Sequence, residues 1–339
     1  YLIENCIYGV DIQPIAVQIA KLRFFISLVV DQNKQPGKEN LGIRALPNLE
    51  TKFVAANTLI GLEKPKAQRN LFENKEIIAL EDKLKELRHR YFNAKTRKEK
   101  MVCQKEDKTL RQKVAKLLVN DGWAQESAKQ IVAFDPYDQN ASSPFFDPEW
   151  MFGLKEENAG DGVFDVVIAN PPYIEISGIS EEQRNIYKAL FKTATGRFDL
   201  YLLFIEKTMQ IKNKTGGFVF IIPGKFLNNK QFASTRKLVS NGHNINVVKI
   251  DDKVFEAQVD SVIIQNHTAK NPNEAKYNTF KISGNEVSKI SSTNVSQIFQ
   301  NKDVIFKLEL NSKTDELISK IEQDSKRFIE IGEVKDGII

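Results

Sequence analysis

The tetrapeptide Asn170-Pro171-Pro172-Tyr173 is the part of this 339-residue chain whose residue types and order point most directly to chemistry. It follows at once on Val163-Phe164-Asp165-Val166-Val167-Ile168-Ala169, a run that reads as a strand buried on both faces. In an open parallel sheet, ligands collect at the carboxyl ends of the strands. Two prolines fix the backbone, remove two N–H groups and push the residue before each into an extended conformation. The turn is therefore stiff, and it offers carbonyl oxygens, one amide side chain and an aromatic face. Such a set suits the holding of a planar amine. The exocyclic amine of a purine is a poor nucleophile because its lone pair is delocalised into the ring. With one of its hydrogens accepted by the Asn170 side-chain oxygen and the other by the Pro171 carbonyl, charge developing on nitrogen is stabilised as it attacks an electrophile. Tyr173 stacked on the ring fixes the angle of attack, where orientation is worth most. No covalent intermediate is needed. The plain alternative is a strand-ending turn beside a surface tyrosine.

Other chemistries find little support. His89, His243 and His267 are scattered, and Cys6 and Cys103 stand in no metal-ligand spacing, so a metal site is not expected. The sequence holds no Walker lysine loop and no serine-centred nucleophile elbow. Asp165 has no lysine on the adjacent strand positions, so no nuclease centre is assigned.

The elements that must position the tetrapeptide follow from periodicity. Cys6 to Ile12 reads as a short strand ending in Asp11, and Ile15, Ile19, Leu22, Ile26 and Val29 repeat with helical spacing behind it. A second apolar run, Phe53 to Ala56, ends at Asn57. Between Glu63 and Asp121 charge dominates. Ile77, Leu80, Leu84, Leu87 and Tyr91 mark one amphipathic helix, and a second is expected around Thr109 to Val119. Residues 63–116 carry 17 Lys and Arg against 9 Asp and Glu, a net of +8, while the whole chain carries +5. The basic character thus sits in this segment, which is either a solvated helical hairpin or a surface for phosphates.

Farther on, strand Val163 to Ala169, helices Glu181 to Phe191 and Leu200 to Lys212, strand Phe218 to Ile222, helix Gln231 to Asn241 and strand Asn244 to Ile250 alternate. That pattern predicts a parallel sheet covered on both faces. Strand Val259 to Asn266 follows after too few residues for a parallel crossover, so it is expected to run antiparallel. From Thr268 to Ile339 periodicity fades, with one helix expected at Thr314 to Asp324. No apolar run approaches the ~20 residues that span a bilayer, and cysteine is sparse; the reading is a cytoplasmic protein without a membrane segment. A chain beginning at Tyr1 and stopping within what reads as a strand or turn is expected to be a piece of a longer polypeptide.

In the order of these elements the chain resembles the S-adenosylmethionine-dependent adenine-N6 DNA methyltransferases, most closely the modification modules of type IIG restriction-modification enzymes. The likeness runs from Tyr8 to about Asn266. It implies that Asn170, Pro171, Pro172 and Tyr173 are the catalytic motif. It further implies that Asp11, with Ile12, binds the cofactor ribose, and that Asn57, with Thr58 and Leu59, meets the cofactor adenine. Gly196-Arg197-Phe198-Asp199-Leu200-Tyr201 is similar to the segment lining the pocket, where Phe198 and Tyr201 would face the substrate. Asp199 reads equally as the N-cap of a helix. Gly216-Gly217 looks like the turn before the next strand, and Phe255 resembles the aromatic residue near the flipped base, though a core phenylalanine fits as well.

The implied fold is an α/β, Rossmann-like methyltransferase sheet, mostly parallel with an antiparallel last strand, whose central first strand and glycine-rich cofactor loop match nothing here. The implied organisation is a first part of the core at 1–62, a basic helical insertion at 63–133, the catalytic part at 134–267 and a connector towards a target-recognition domain at 268–339. The cofactor would be S-adenosylmethionine and the partner double-stranded DNA, with target-recognition and possible nuclease domains fused outside the chain. Arg88, Arg90, Lys95, Arg97, Lys98 and Lys100 form the densest positive run and are expected to contact phosphates. Two other readings compete. Glutamine-side-chain methyltransferases share an Asn-Pro-Pro-Tyr turn, because a carboxamide nitrogen poses the same problem. Alternatively, the chain is a DNA-binding scaffold with no complete catalytic site.

Overall fold

The computed structural model describes residues 2–43, 45–64, 74–156, 161–250, 260–284, 286–300 and 302–309. The chain divides into two compact units, 1–163 and 164–339.

In the first unit, a short helix α1 (Leu2–Asn5) leads to strand β1 (Gly9–Asp11), helix α2 (Pro14–Val30) and strand β2 (Phe53–Ala55), which pairs parallel with β1. Pro14 opens α2, where its missing N–H costs nothing. Val17, Phe24 and Phe25 of α2 pack on Phe53, with Leu49 and Phe92 completing the cluster. The apolar stripe seen in the sequence is helical as expected, but it faces away from this cluster. Ile15, Ile19, Leu22, Ile26 and Val29 are 61, 52, 57, 54 and 45% exposed.

Residues 63–121 hold the two expected helices, α3 (Lys75–Phe92) and α4 (Arg97–Asn120), the second beginning well before Thr109, and a further helix, α5 (Gln125–Ala133), follows. The Thr96 hydroxyl takes the Glu99 N–H while the Glu99 carboxylate takes the Thr96 N–H, so the chain reverses on a capping box. Ile77, Leu84, Leu87 and Tyr91 of α3 meet Cys103, Leu110, Val114 and Leu118 of α4 in a buried seam. Burial and neighbouring carboxylates push the Tyr91 phenol up to about 12. Inside the seam lies a charged knot. Fully buried Asp107 accepts from Arg111 Nε at 2.6 Å and from Arg88 Nε at 3.4 Å. Arg88 also donates to the Trp150 carbonyl at 2.7 Å, and Arg111 to the Val132 carbonyl at 2.8 Å and to the Phe134 carbonyl. Trp150 belongs to α6 (Pro148–Phe152), which Asp147 caps by accepting the Glu149 and Trp150 N–H groups.

The second unit holds a six-stranded sheet of order β3-β4-β6-β5-β7-β8, formed by β3 (Phe164–Ala169), β4 (Lys212–Pro223), β5 (His243–Ile250), β6 (Ser261–Thr268), β7 (Lys276–Ser283) and β8 (Glu286–Asn294). Helices α7 (Glu181–Leu190), α8 (Leu200–Ile211) and α9 (Ala233–Ser240) lie in the connections. β3 pairs parallel with β4, and β6 runs antiparallel to both β4 and β5, as its short connection predicts. The sequence between 268 and 309 is more than a connector. β7 joins β5 in parallel, β8 returns antiparallel to β7, and a last turn of helix, α10 (Val295–Ile298), closes the hairpin. The helix expected at 314–324 lies outside the described residues.

Two further expectations are corrected. β3 is not buried on both faces: among the described residues it is an edge strand, and Val166 and Ile168 are 62 and 77% exposed. Gly216-Gly217 is not a turn but part of β4. A Cβ at Gly216 would lie 2.7 Å from the Asp165 carbonyl, and one at Gly217 2.3 Å from the Asn266 carbonyl, so both positions demand glycine because neighbouring strands press on them.

Candidate functional site

In the first unit, Asp11 and Asn57 end adjacent parallel strands at the same edge, since Asp11 is in register with Ala55 and the Ala56 N–H donates to the Asp11 carbonyl at 2.8 Å. One carboxylate oxygen of exposed Asp11 takes the Gln13 N–H at 2.8 Å, the local bond that lets α2 start here; the second oxygen has no partner among the described residues. The Asn57 side-chain oxygen accepts from Leu59 N–H at 3.2 Å, which shapes the Asn57-Thr58-Leu59 turn and leaves the side-chain N–H groups to point elsewhere. Leu59 is buried and Ile12 is 58% exposed. The fit to a ribose diol and an adenine edge is thus chemical: a carboxylate oxygen for hydroxyl donors, amide hydrogens for a ring nitrogen.

In the second unit, Asn170 leaves the carboxyl end of β3 exposed to solvent, and its side chain makes no hydrogen bond to the described residues. Pro171 is buried behind it and Pro172 is exposed. Tyr173 is half-buried. Its hydroxyl donates to the Ile221 carbonyl of β4 at 3.1 Å and also meets the Ser261 side chain, and burial raises its phenol above the ordinary value. Its ring stands edge-on to Tyr201, with centroids 6.2 Å apart. The tyrosine is therefore pinned at its tip, and the Asn170 amide is the free polar group of the turn.

Phe198 and Tyr201, expected to face substrate as a pair, are core residues at 1 and 0% exposure. Tyr201 sits among Tyr173, Phe226 and Phe232, and burial drives its phenol far above the usual range. Tyr201 contributes support for Tyr173, edge-on to its ring. Phe255 lies outside the described residues.

Asp199 occupies the N-cap position of α8, yet its side chain caps nothing. It is buried and faces the Lys225 amine at 2.8 Å, while exposed Glu175 holds the same amine at 3.0 Å. Burial pushes the Asp199 carboxyl up against the opposing pull of Lys225. Burial also works to lower the Lys225 amine, but its two carboxylates hold it above the ordinary lysine value. Neither Lys225 nor Glu175 stands out in the sequence. The available signal is a basic residue in Pro223-Gly224-Lys225-Phe226, the turn closing β4 next to the strand that carries Asn170.

The cations of the basic segment separate into two groups. Arg88 is a correction: at 6% exposure and committed to Asp107 and the Trp150 carbonyl, it belongs to the interior and not to a surface for phosphates. Arg90 is exposed but bonded to Glu106 and Cys103. Lys95, Arg97 and Lys98 stand exposed around the α3–α4 reversal, and Lys100 is half-buried beside them. Arg97 and Lys98 form no ion pair with the described residues. Among the described residues no group of three His, Cys, Asp or Glu could hold a metal ion, and no helix is long and apolar enough to cross a membrane.

Comparison with known proteins follows the same span. Residues 5–255 match the family described as Eco57I restriction-modification methylase. The chain is similar to the type II restriction enzyme and methyltransferase RM.Eco57I of Escherichia coli, 35% identical over 95 residues that make up 27% of this chain and 10% of that protein. It is also similar to the type II methyltransferase M.TthHB8I of Thermus thermophilus, 26% identical over 129 residues, 35% of this chain and 30% of that protein. The chain thus spans well under half the length of these relatives. The type IIG restriction endonuclease BpuSI aligns in structure over 56% of this chain and 26% of its own, at 13% identity and a TM-score of 0.36, too slight a likeness to bear an argument.

Proposed function

The chain belongs to the Eco57I restriction-modification methylase family, and from that premise we propose that it carries out methyl transfer from S-adenosylmethionine to the exocyclic amine of adenine in double-stranded DNA, as the modification part of a restriction-modification enzyme. The observation that carries this reading is the Asn170 side chain, exposed and unpartnered at the carboxyl end of β3 and followed by two prolines and a pinned tyrosine. Its oxygen is available to accept an amine hydrogen, the Pro171 carbonyl is available for the other, and the Tyr173 ring offers a face for stacking. Flipping a base out of a duplex costs a few kcal/mol, and stacking with two hydrogen bonds offsets it. S-adenosylmethionine, when bound, supplies an electrophilic sulfonium methyl. The residues that would hold it are Asp11, through its open carboxylate oxygen and the ribose, and Asn57, through its amide hydrogens and the adenine. Lys95, Arg97 and Lys98, exposed at the α3–α4 reversal, would meet phosphates.

The test is Asn170→Ala in the full chain. Formation of N6-methyladenine in plasmid DNA is expected to fall at least about a hundredfold, in line with the loss of an oriented polar group. DNA affinity should hold, because the amide acts on the reacting nitrogen and not on phosphates. A variant with parental turnover refutes the proposal. Methyl transfer to a glutamine of a translation factor, with none to DNA, favours the carboxamide reading.

A further inference from the structure

Resting on the methyl-transfer reading, we propose that Lys225 is a positioning residue for the reaction: it clamps the far end of the Asn170–Tyr173 loop by bridging Asp199 and Glu175. The loop leaves β3 and is caught four residues later in a short antiparallel contact. Leu200 N–H donates to the Ile174 carbonyl at 2.8 Å, Ile176 N–H to the Phe198 carbonyl at 3.0 Å, and Glu175 faces Asp199 across the pair. Opposed residues of an antiparallel pair put their side chains on one side. There both carboxylates reach one amine, carried by the turn Gly224–Leu227 at the carboxyl end of β4. Three pieces of backbone thus meet at one cation: the catalytic loop, the start of α8 and the end of the strand beside β3. A Cβ at Gly224 would lie 3.2 Å from the Asp260 carbonyl, and the Gly224 N–H donates to that carbonyl at 2.7 Å, so the turn carrying Lys225 is itself seated on the residue that leads into β6.

The division of burial says which half of the bridge matters. The Asp199 side chain is 7% exposed, that of Lys225 41% and that of Glu175 66%. The inner pair is shielded and has one geometry, whereas the outer contact is screened and worth little by itself. Tyr173 is fixed at its hydroxyl by β4, but Asn170, three residues upstream, has no bond of its own to the described residues. Its aim is set by the two ends of the loop, of which β3 is one and the Lys225 clamp the other. A displacement of about 1 Å at a reacting group costs on the order of a hundredfold in rate.

The experiment compares the full chain with Lys225→Met, Lys225→Arg and the double variant Lys225→Met/Asp199→Asn, which leaves no buried charge without a partner. At saturating DNA and S-adenosylmethionine, Lys225→Met is expected to lower kcat about 10- to 100-fold with KM for DNA changed by less than about threefold, and Lys225→Arg to restore most of it. The double variant should melt near the parent yet show the same fall in kcat. Amide hydrogen exchange at Ile176 and Leu200 should quicken in Lys225→Met and return to the parental rate in Lys225→Arg. Parental kcat in the double variant, or unchanged exchange, overturns the clamp. A raised KM with intact kcat also overturns it and makes Lys225 a phosphate contact. If the parent chain forms no N6-methyladenine, or Asn170→Ala keeps parental turnover, the methyl-transfer reading fails by itself, and the exchange rates still decide on the clamp.

Discussion

Replacing Asp107 by asparagine removes one negative charge from a place where two cations depend on it. The shape of the side chain hardly changes, so the effect is electrostatic. Arg88 and Arg111 have side chains only 7 and 3% exposed, and neither can swing to water without giving up bonds to the carbonyls of Trp150, Val132 or Phe134. Removing one partner of a buried ion pair costs about 3–5 kcal/mol, and here a single carboxylate serves two guanidinium groups, which places the expected loss near the upper end. For a unit of this size each kcal/mol lowers the melting midpoint by about 2–4 °C, so a fall of roughly 8–20 °C is expected. The assay is thermal and urea unfolding followed by tryptophan fluorescence, because Trp150 sits against Arg88 and Trp123 packs edge-on to it. A companion variant, Arg88→Met/Asp107→Leu/Arg111→Met, exchanges the whole knot for apolar side chains and should recover most of the loss. An Asp107→Asn protein that unfolds within about 1 kcal/mol of the parent refutes the argument that these guanidinium groups rely on one carboxylate.

The exposed cations of the same segment make a separate prediction: replacing Lys95, Arg97 and Lys98 together by glutamine should flatten the dependence of log affinity for DNA on log salt by up to about 2.7, at roughly 0.9 per phosphate neutralised. All sequences should be weakened alike, and an unchanged slope makes the hairpin purely structural. At β5, burial, nearby Lys212 and His267 lower the His243 imidazole below its ordinary value, against the Asn241 carbonyl it touches. The unfolded chain then binds a proton that the folded one refuses, so stability should fall as pH drops below about 6.5 towards the lowered value. His243→Gln should remove that component, as read from urea midpoints at pH 7.5 and 5.5; an unaltered pH dependence excludes His243 as its source.

Periodicity placed most of the helices and strands within a few residues, because spacing of 3.6 or 2 reports on a half-buried face wherever there is one. It also led to an error about which face is covered. The α2 stripe is as regular as any in the chain, yet Val17 and Phe24 on the other side do the packing. Likewise, the apolar run of β3, broken only by Asp165, reads as a strand buried on both faces, while Val166 and Ile168 stand in solvent. β7 and β8 escaped notice because Asn278, Thr279, Ser291 and Ser292 bond to one another across the hairpin, and polar ladders of this kind have no hydrophobic signature. At the site, Asn170 to Tyr173 were legible because two prolines in a row after a strand are rare in type and rigid in consequence. Lys225 was not, since its role comes from two carboxylates 50 and 26 residues upstream that only the fold brings together. Arg88 was misjudged for the same reason: a charged run shows its composition, whereas burial depends on the helix face it falls on.

The outward stripe of α2 has a practical side. Five aliphatic side chains in a row along four turns of helix, each about half exposed, leave unrealised roughly half of the ~1.5–3 kcal/mol that burying each one is worth. Water tolerates scattered apolar groups, but a continuous ridge behaves as an adhesive. In the laboratory such a surface governs colloidal behaviour: retention on hydrophobic resins, uptake of fluorescent dyes that seek apolar surface, and light scattering that grows with concentration and with added sulfate. Preparations of the 339-residue polypeptide should therefore be kept dilute and low in such salts, and Ile19→Lys with Ile26→Glu should make them markedly easier to concentrate.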